Sequence, residues 1–121
     1  MAESIEPKQY DLEERTLGFA KGVRAFIRLL PRTITNTQDV KQLVRSSGSV
    51  GANYIEANES LGKKDFQMHV KISRKEAKES AYWLGLLDCG SDVTIQKERD
   101  VLMQEARELM SIFGAILRNS S

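Results

Sequence analysis

Arg45, Asn53, Glu56, Lys75, Glu76 and Glu79 are the side chains in this sequence best placed to do chemistry together. A guanidinium and carboxylates form charge-assisted, often bidentate pairs that fix orientation between helices, between subunits or around a ligand. Arg45, Ser49, Ala52 and Glu56 are spaced by four, three and four residues, which places them on one face of a helix. Glu76 and Glu79 share another helical face, in line with Trp83. The pattern favours an interface ion network of Arg45, Asn53, Glu56, Glu76, Glu79 and Trp83. A ligand pocket is the alternative.

Other chemistries find little support. His69 is the single histidine and Cys89 the single cysteine. A metal site would therefore fall to carboxylates, and the Glu-x-x-His pairs typical of carboxylate-bridged bundles are absent. Ser46, Ser47 and Ser49 lack a base in reach by any known motif and read as small spacers, and no glycine-rich phosphate loop occurs. The expectation is a protein that is not an enzyme and needs no metal or cofactor. One cysteine permits no internal disulfide, which fits a reducing compartment. The start, MAESIEPKQY, has no apolar run of signal-peptide length, and no run of 18 apolar residues occurs anywhere. Both point to a cytoplasmic protein with no membrane partner.

Charge is the other chemical resource. The formal net charge is only +1, but it is unevenly spread. Residues 1–20 carry two basic and five acidic groups, net −3; residues 21–78 carry twelve and five, net +7; residues 79–121 carry four and seven, net −3. The basic middle includes Lys21, Arg24, Arg28, Arg32, Lys41, Lys63, Lys64, Lys71, Arg74, Lys75 and Lys78. Repeated around an oligomer, these residues would form a positive band suited to RNA or single-stranded DNA. Lys21, Arg24, Arg28, Lys63, Lys64, Lys71, Arg74, Lys75 and Lys78 are the candidate contacts. With no recognised RNA-reading motif and few aromatics, binding should be weakly sequence-specific. The simpler expectation is that the basic middle pairs with the acidic ends on folding. A protein partner without nucleic acid is the alternative function.

These residues are carried by four amphipathic segments in one domain spanning 1–121. Helix 1 is predicted for 11–30, where Leu12, Thr16, Phe19, Val23, Phe26 and Leu30 form an unbroken seam that Pro31 stops. Helix 2 is predicted for 38–58, capped by Thr35, Asn36 or Thr37, with Val40, Leu43, Ser47, Val50 and Tyr54 as its seam. Its interior, Ser46 to Ala52, is made almost wholly of small residues. The uninterrupted spacing argues for one helix with a neighbour's backbone close by, rather than a loop at SSGSVG. Helix 3 is predicted for 63–87 on Phe66, Val70, Ser73, Ala77, Ser80, Leu84 and Leu87, with a second seam of Ile72, Glu76, Glu79, Trp83 and Leu86. A peripheral helix needs only one apolar face, so the second seam suggests self-assembly. Helix 4 is predicted for 95–118 on Ile95, Leu102, Ala106, Leu109, Phe113 and Ile116. No segment sustains a period of two, and the short links force antiparallel neighbours. The fold class is all-α, an antiparallel up-down-up-down four-helix bundle.

The stretch from Gln42 to Leu87 resembles the bacterial four-helix bundle proteins named for ribosomal RNA intervening sequences. The likeness rests on Arg45 followed by Ser46 and Ser47, on Asn53 and Glu56 as Asn-x-x-Glu, on Lys63-Lys64-Asp65-Phe66, and on KEAKESAYWLGLL from Lys75 to Leu87. Gly51 departs from the pattern, since many members have a proline that kinks helix 2 there. The resemblance implies a left-handed bundle and a homopentameric ring. Some members are encoded inside insertions in large-subunit ribosomal RNA genes. A similar pentameric accessory protein of diversity-generating retroelements binds a reverse transcriptase and nucleic acid. The expectation is thus a homo-oligomeric scaffold or accessory protein that binds nucleic acid or a nucleic-acid enzyme.

Overall fold

A computed structural model of the chain describes residues 8–120, with side chains from Asp11 onward. Residues 1–7 and Ser121, included in the predicted domain, lie outside the described residues. Four helices, α1 (Lys8–Ile27), α2 (Ile34–Asn58), α3 (Lys63–Leu86) and α4 (Val93–Asn119), make up the fold, and the described residues contain no strand. Each helix packs on its neighbours in sequence, and α4 closes back on α1. The α2–α3 and α3–α4 contacts are the most extensive and the α1–α4 contact the thinnest. This is the antiparallel up-down-up-down bundle that short links between long amphipathic helices dictate.

The core follows the seams. All six positions of the first seam are buried, five on α1 from Leu12 to Phe26 and Leu30 in the turn after it. They meet Leu43, Val50 and Tyr54 of α2, Val70, Ala77 and Leu84 of α3, and Ala106, Leu109 and Phe113 of α4 in one apolar cluster. Tyr54 and Phe113 touch with ring centroids 5.8 Å apart. The small residues set the closest approaches. Ser46 and Ser80 join hydroxyls across α2 and α3 at 2.9 Å, and Ser73 Oγ donates to the Val50 carbonyl at 2.8 Å. A serine that bonds a facing helix lets two backbones close up while satisfying its own hydroxyl. The helix through Ser46–Ala52 is continuous, so no loop interrupts α2.

Helix ends differ from the predicted ones for identifiable reasons. α1 stops at Ile27, three residues before Leu30, because Pro31 disfavours helix at the residue before it and the chain tightens into a turn there. α2 begins at Ile34 rather than residue 38. Thr33 supplies the cap, its hydroxyl accepting from the Asn36 amide at 3.0 Å, so Thr35, Asn36 and Thr37 are inside the helix. α4 starts at Val93, capped by Asp92, whose carboxylate accepts from Thr94 and Ile95. Gly90 lies outside the helices at φ +67°, a left-handed conformation that glycine adopts without strain.

Candidate nucleic-acid interface

The polar set divides between the α2–α3 groove and its flanks. Arg45 reaches across from α2 to α3, with guanidinium nitrogens 3.4 and 3.5 Å from the two oxygens of Glu76 and 3.5 Å from Glu79. Glu76 is only 6% exposed, whereas Arg45 is largely open to solvent. Asn53 does not join them. Its amide donates to the Ser49 carbonyl and hydroxyl, and its oxygen lies 3.2 Å from His69 Nδ1. His69 Nε2 in turn lies 3.6 Å from Asp65. Glu56 is exposed and makes no ion pair among the described residues. Trp83 is half-buried against the core and meets Tyr82 at a ring-centroid distance of 5.2 Å.

The second seam of α3 is therefore not an open surface. Glu76 is covered, Ile72, Glu79 and Trp83 are half-covered, and Leu86 alone is exposed. Open apolar surface lies instead on both flanks of α1. A groove of about 340 Å³ runs between α1 and α2, past the exposed Leu17 and Ile55 and over Gly48, Gly51 and Ala52. Another, of about 610 Å³, runs between α1 and α4, past the exposed Leu29 and Val101. The exposed Leu17, Ile55, Leu29 and Val101 belong to none of the core seams, so helical periodicity alone does not reveal these grooves.

The basic side chains are the most consistent group. Lys21, Arg24, Arg28, Arg32, Lys41, Lys63, Lys64, Lys71, Arg74, Lys75 and Lys78 are all exposed, and none makes an ion pair among the described residues. Among the described residues Arg45 is the one lysine or arginine of 21–78 that does, and its partners lie on α3. Among the described residues the Arg45–Glu79 contact alone joins the basic middle to an acidic end, so the pairing expected between them is not made by these eleven side chains. The acids of α4 are engaged elsewhere: Arg15 binds Glu105 in two-pronged fashion at 2.7 and 2.8 Å and Glu108 at 2.8 Å. The Glu105 hydrogen bonds raise the Arg15 pKa further. Hydrogen bonds from Gln104 and Arg15 hold the Glu108 carboxyl below its usual range. α4 itself carries four basic and four acidic side chains, and among the described residues none of its carboxylates pairs with these basic side chains.

The sequence pattern described as 23S rRNA-intervening sequence protein matches residues 8–115, nearly the whole bundle. The chain belongs to this family. A solved structure agrees: a protein of unknown function from the S23 ribosomal protein family of Bacteroides thetaiotaomicron VPI-5482 superposes with a TM-score of 0.75 at 25% identity. The match covers 92% of this chain and 98% of that one. No curated protein matches the sequence. Within this intervening-sequence family the shared feature is thus the whole bundle, and the Gly51 departure leaves α2 helical throughout.

Two further groups bear on chemistry. Among the described residues no three His, Cys, Asp or Glu side chains cluster in a way that could hold a metal ion, and no helix is long and apolar enough to cross a membrane. Cys89 is buried in the α3–α4 link, and burial pushes its thiol pKa up. Because the thiolate is the reactive form, alkylation at pH 7.5 should be slow in the folded protein and rapid in denaturant. Equal rates in the two states, followed by mass, would show that the link opens freely.

Proposed function

We propose that this protein is a non-enzymatic homo-oligomeric bundle that serves as a scaffold or accessory factor, binding nucleic acid or an enzyme that acts on it. The observation that carries this reading is the set of eleven exposed basic side chains with no ion-pair partner among the described residues. An exposed excess of positive charge of this kind attracts a polyanion such as a nucleic-acid backbone. The two apolar grooves beside α1 supply surface for self-assembly. A contact between two different patches on each subunit makes a ring where the rotation closes, and the family resemblance makes a pentamer the expected size.

The test is binding to RNA or single-stranded DNA as a function of salt. Each phosphate neutralised on a single strand contributes about −0.7 to the log–log slope. Changing Lys71, Arg74 and Lys78 to glutamate should weaken binding and flatten that slope by about 2 if each makes one such contact. Light scattering on the same samples should show the oligomer intact. A wild-type oligomer that ignores nucleic acid even at low salt favours the second reading, an adaptor that binds protein alone. That reading draws on the same grooves beside α1, with a foreign helix or a second copy as occupant.

A further inference from the structure

We infer that the outward face of α3 binds single-stranded nucleic acid, with Tyr82 as a platform on which a base stacks. This rests on the nucleic-acid reading above and specifies its surface and ligand. Lys64, Met68, Lys71, Lys75, Lys78 and Tyr82 follow spacings of four, three, four, three and four. They form one straight stripe opposite the core seam, about 27 Å long at the α-helical rise. Every member is exposed, and Tyr82 at its end is 62% exposed.

The three carboxylates of α3 are all directed away from this stripe. Asp65 faces His69, and Glu76 and Glu79 are both drawn to Arg45 on the α2 side. No carboxylate of α3 therefore pairs with the lysines of the row. A row of cations on one helix face tracks a phosphate backbone whatever its sequence. Tyr82 adds what a purely electrostatic surface lacks. Its ring is braced by the neighbouring Trp83, which packs against the core, while most of its own surface is open to solvent. Base–aromatic stacking needs an unpaired, splayed-out base, so the combination of lysine row and braced ring selects single strands over duplex.

Trp83 is the only tryptophan and touches Tyr82, so its fluorescence reports on the site. Oligo(dT) and poly(U) titrated into the full-length protein at low salt should change that fluorescence, and a duplex of equal length should bind more weakly. Tyr82→Ala should reduce single-strand affinity by about tenfold, as loss of one base–aromatic stack does, while leaving the salt slope unchanged because no phosphate contact is lost. Tyr82→Phe should retain the affinity. Lys75→Glu should do the reverse, flattening the slope while the fluorescence change persists at saturation. Undiminished binding by Tyr82→Ala, or equal affinity for duplex, overturns the stacking site while leaving nucleic-acid binding in place. A change in oligomer mass in Tyr82→Ala assigns the face to a subunit contact and also overturns it. No binding of any strand by the wild type removes the broader reading and this one together.

Discussion

Replacing Asn36 with alanine is expected to destabilise the fold by about 3 kcal/mol, taking about 1 kcal/mol for each of three hydrogen bonds. Asn36 is 2% exposed. Its amide nitrogen donates to the carbonyls of Pro31 at 2.9 Å and Asp88 at 2.8 Å, and its oxygen accepts from the Asp88 amide at 2.9 Å. One side chain thus ties the α1–α2 turn to the α3–α4 link. Alanine leaves those backbone groups without their partner, and buried polar groups left unmade carry most of the loss. Aspartate is the sharper probe. It keeps the acceptor for the Asp88 amide but turns a second oxygen toward two carbonyls. Its folded-state pKa should rise above the ordinary value of about 3.9, so its penalty should be full at neutral pH and relieved as pH falls through that raised value. Urea unfolding at pH 7 and pH 4 measures both. An unchanged midpoint in Asn36→Ala, with an unchanged slope, would show that the two turns are held by other contacts.

The role of Asn36 marks where the sequence stops being legible. Within a helix, position determines direction, so the core could be read. Leu12, Thr16, Phe19, Val23, Phe26 and Leu30 sit at alternating spacings of four and three, and all six are buried. Asn36 was readable only as a capping candidate, because its partner Asp88 is 52 residues away and no local pattern links them. The same limit applies to charge. That Arg15 meets Glu105 and Glu108, while Lys71 and Lys75 make no ion pair among the described residues, depends on how four helices are rotated against one another. Composition showed the excess of base in residues 21–78 but not that folding would leave it exposed. The second seam of α3 was visible as a pattern. Its cover by α2 was not, since Glu76 is buried by a helix whose packing no α3 periodicity encodes. The open apolar surface beside α1 was missed for a related reason: Leu17, Ile55, Leu29 and Val101 form patches only after three helices come together.

Enlarging the small residues of α2 should have an effect of similar size. Gly51→Leu is expected to lower stability by about 1–3 kcal/mol or more, the range for overpacking a closed contact. A Cβ at Gly51 would stand 2.8 Å from Thr16 Oγ1 and 3.1 Å from Thr16 Cβ on α1. Thr16 cannot easily give way. It is 2% exposed, and its hydroxyl is held by the carbonyls of Leu12 at 2.9 Å and Glu13 at 3.0 Å. Gly51→Ala separates two opposing effects. Alanine favours a helix interior over glycine by about 1 kcal/mol, so a net loss in Gly51→Ala would measure the clash directly. Gly18 on α1 is the matched control: a Cβ there meets nothing within 4 Å, and Gly18→Ala should stabilise by up to about 1 kcal/mol. Ser47→Leu should behave like Gly51→Leu, since Ser47 is fully buried in the same stretch. Thermal melts of the four variants test the set. If Gly51→Leu and Gly18→Ala shift the melting temperature alike, α1 does not press on α2 at Gly51, and the small residues of α2 need another explanation.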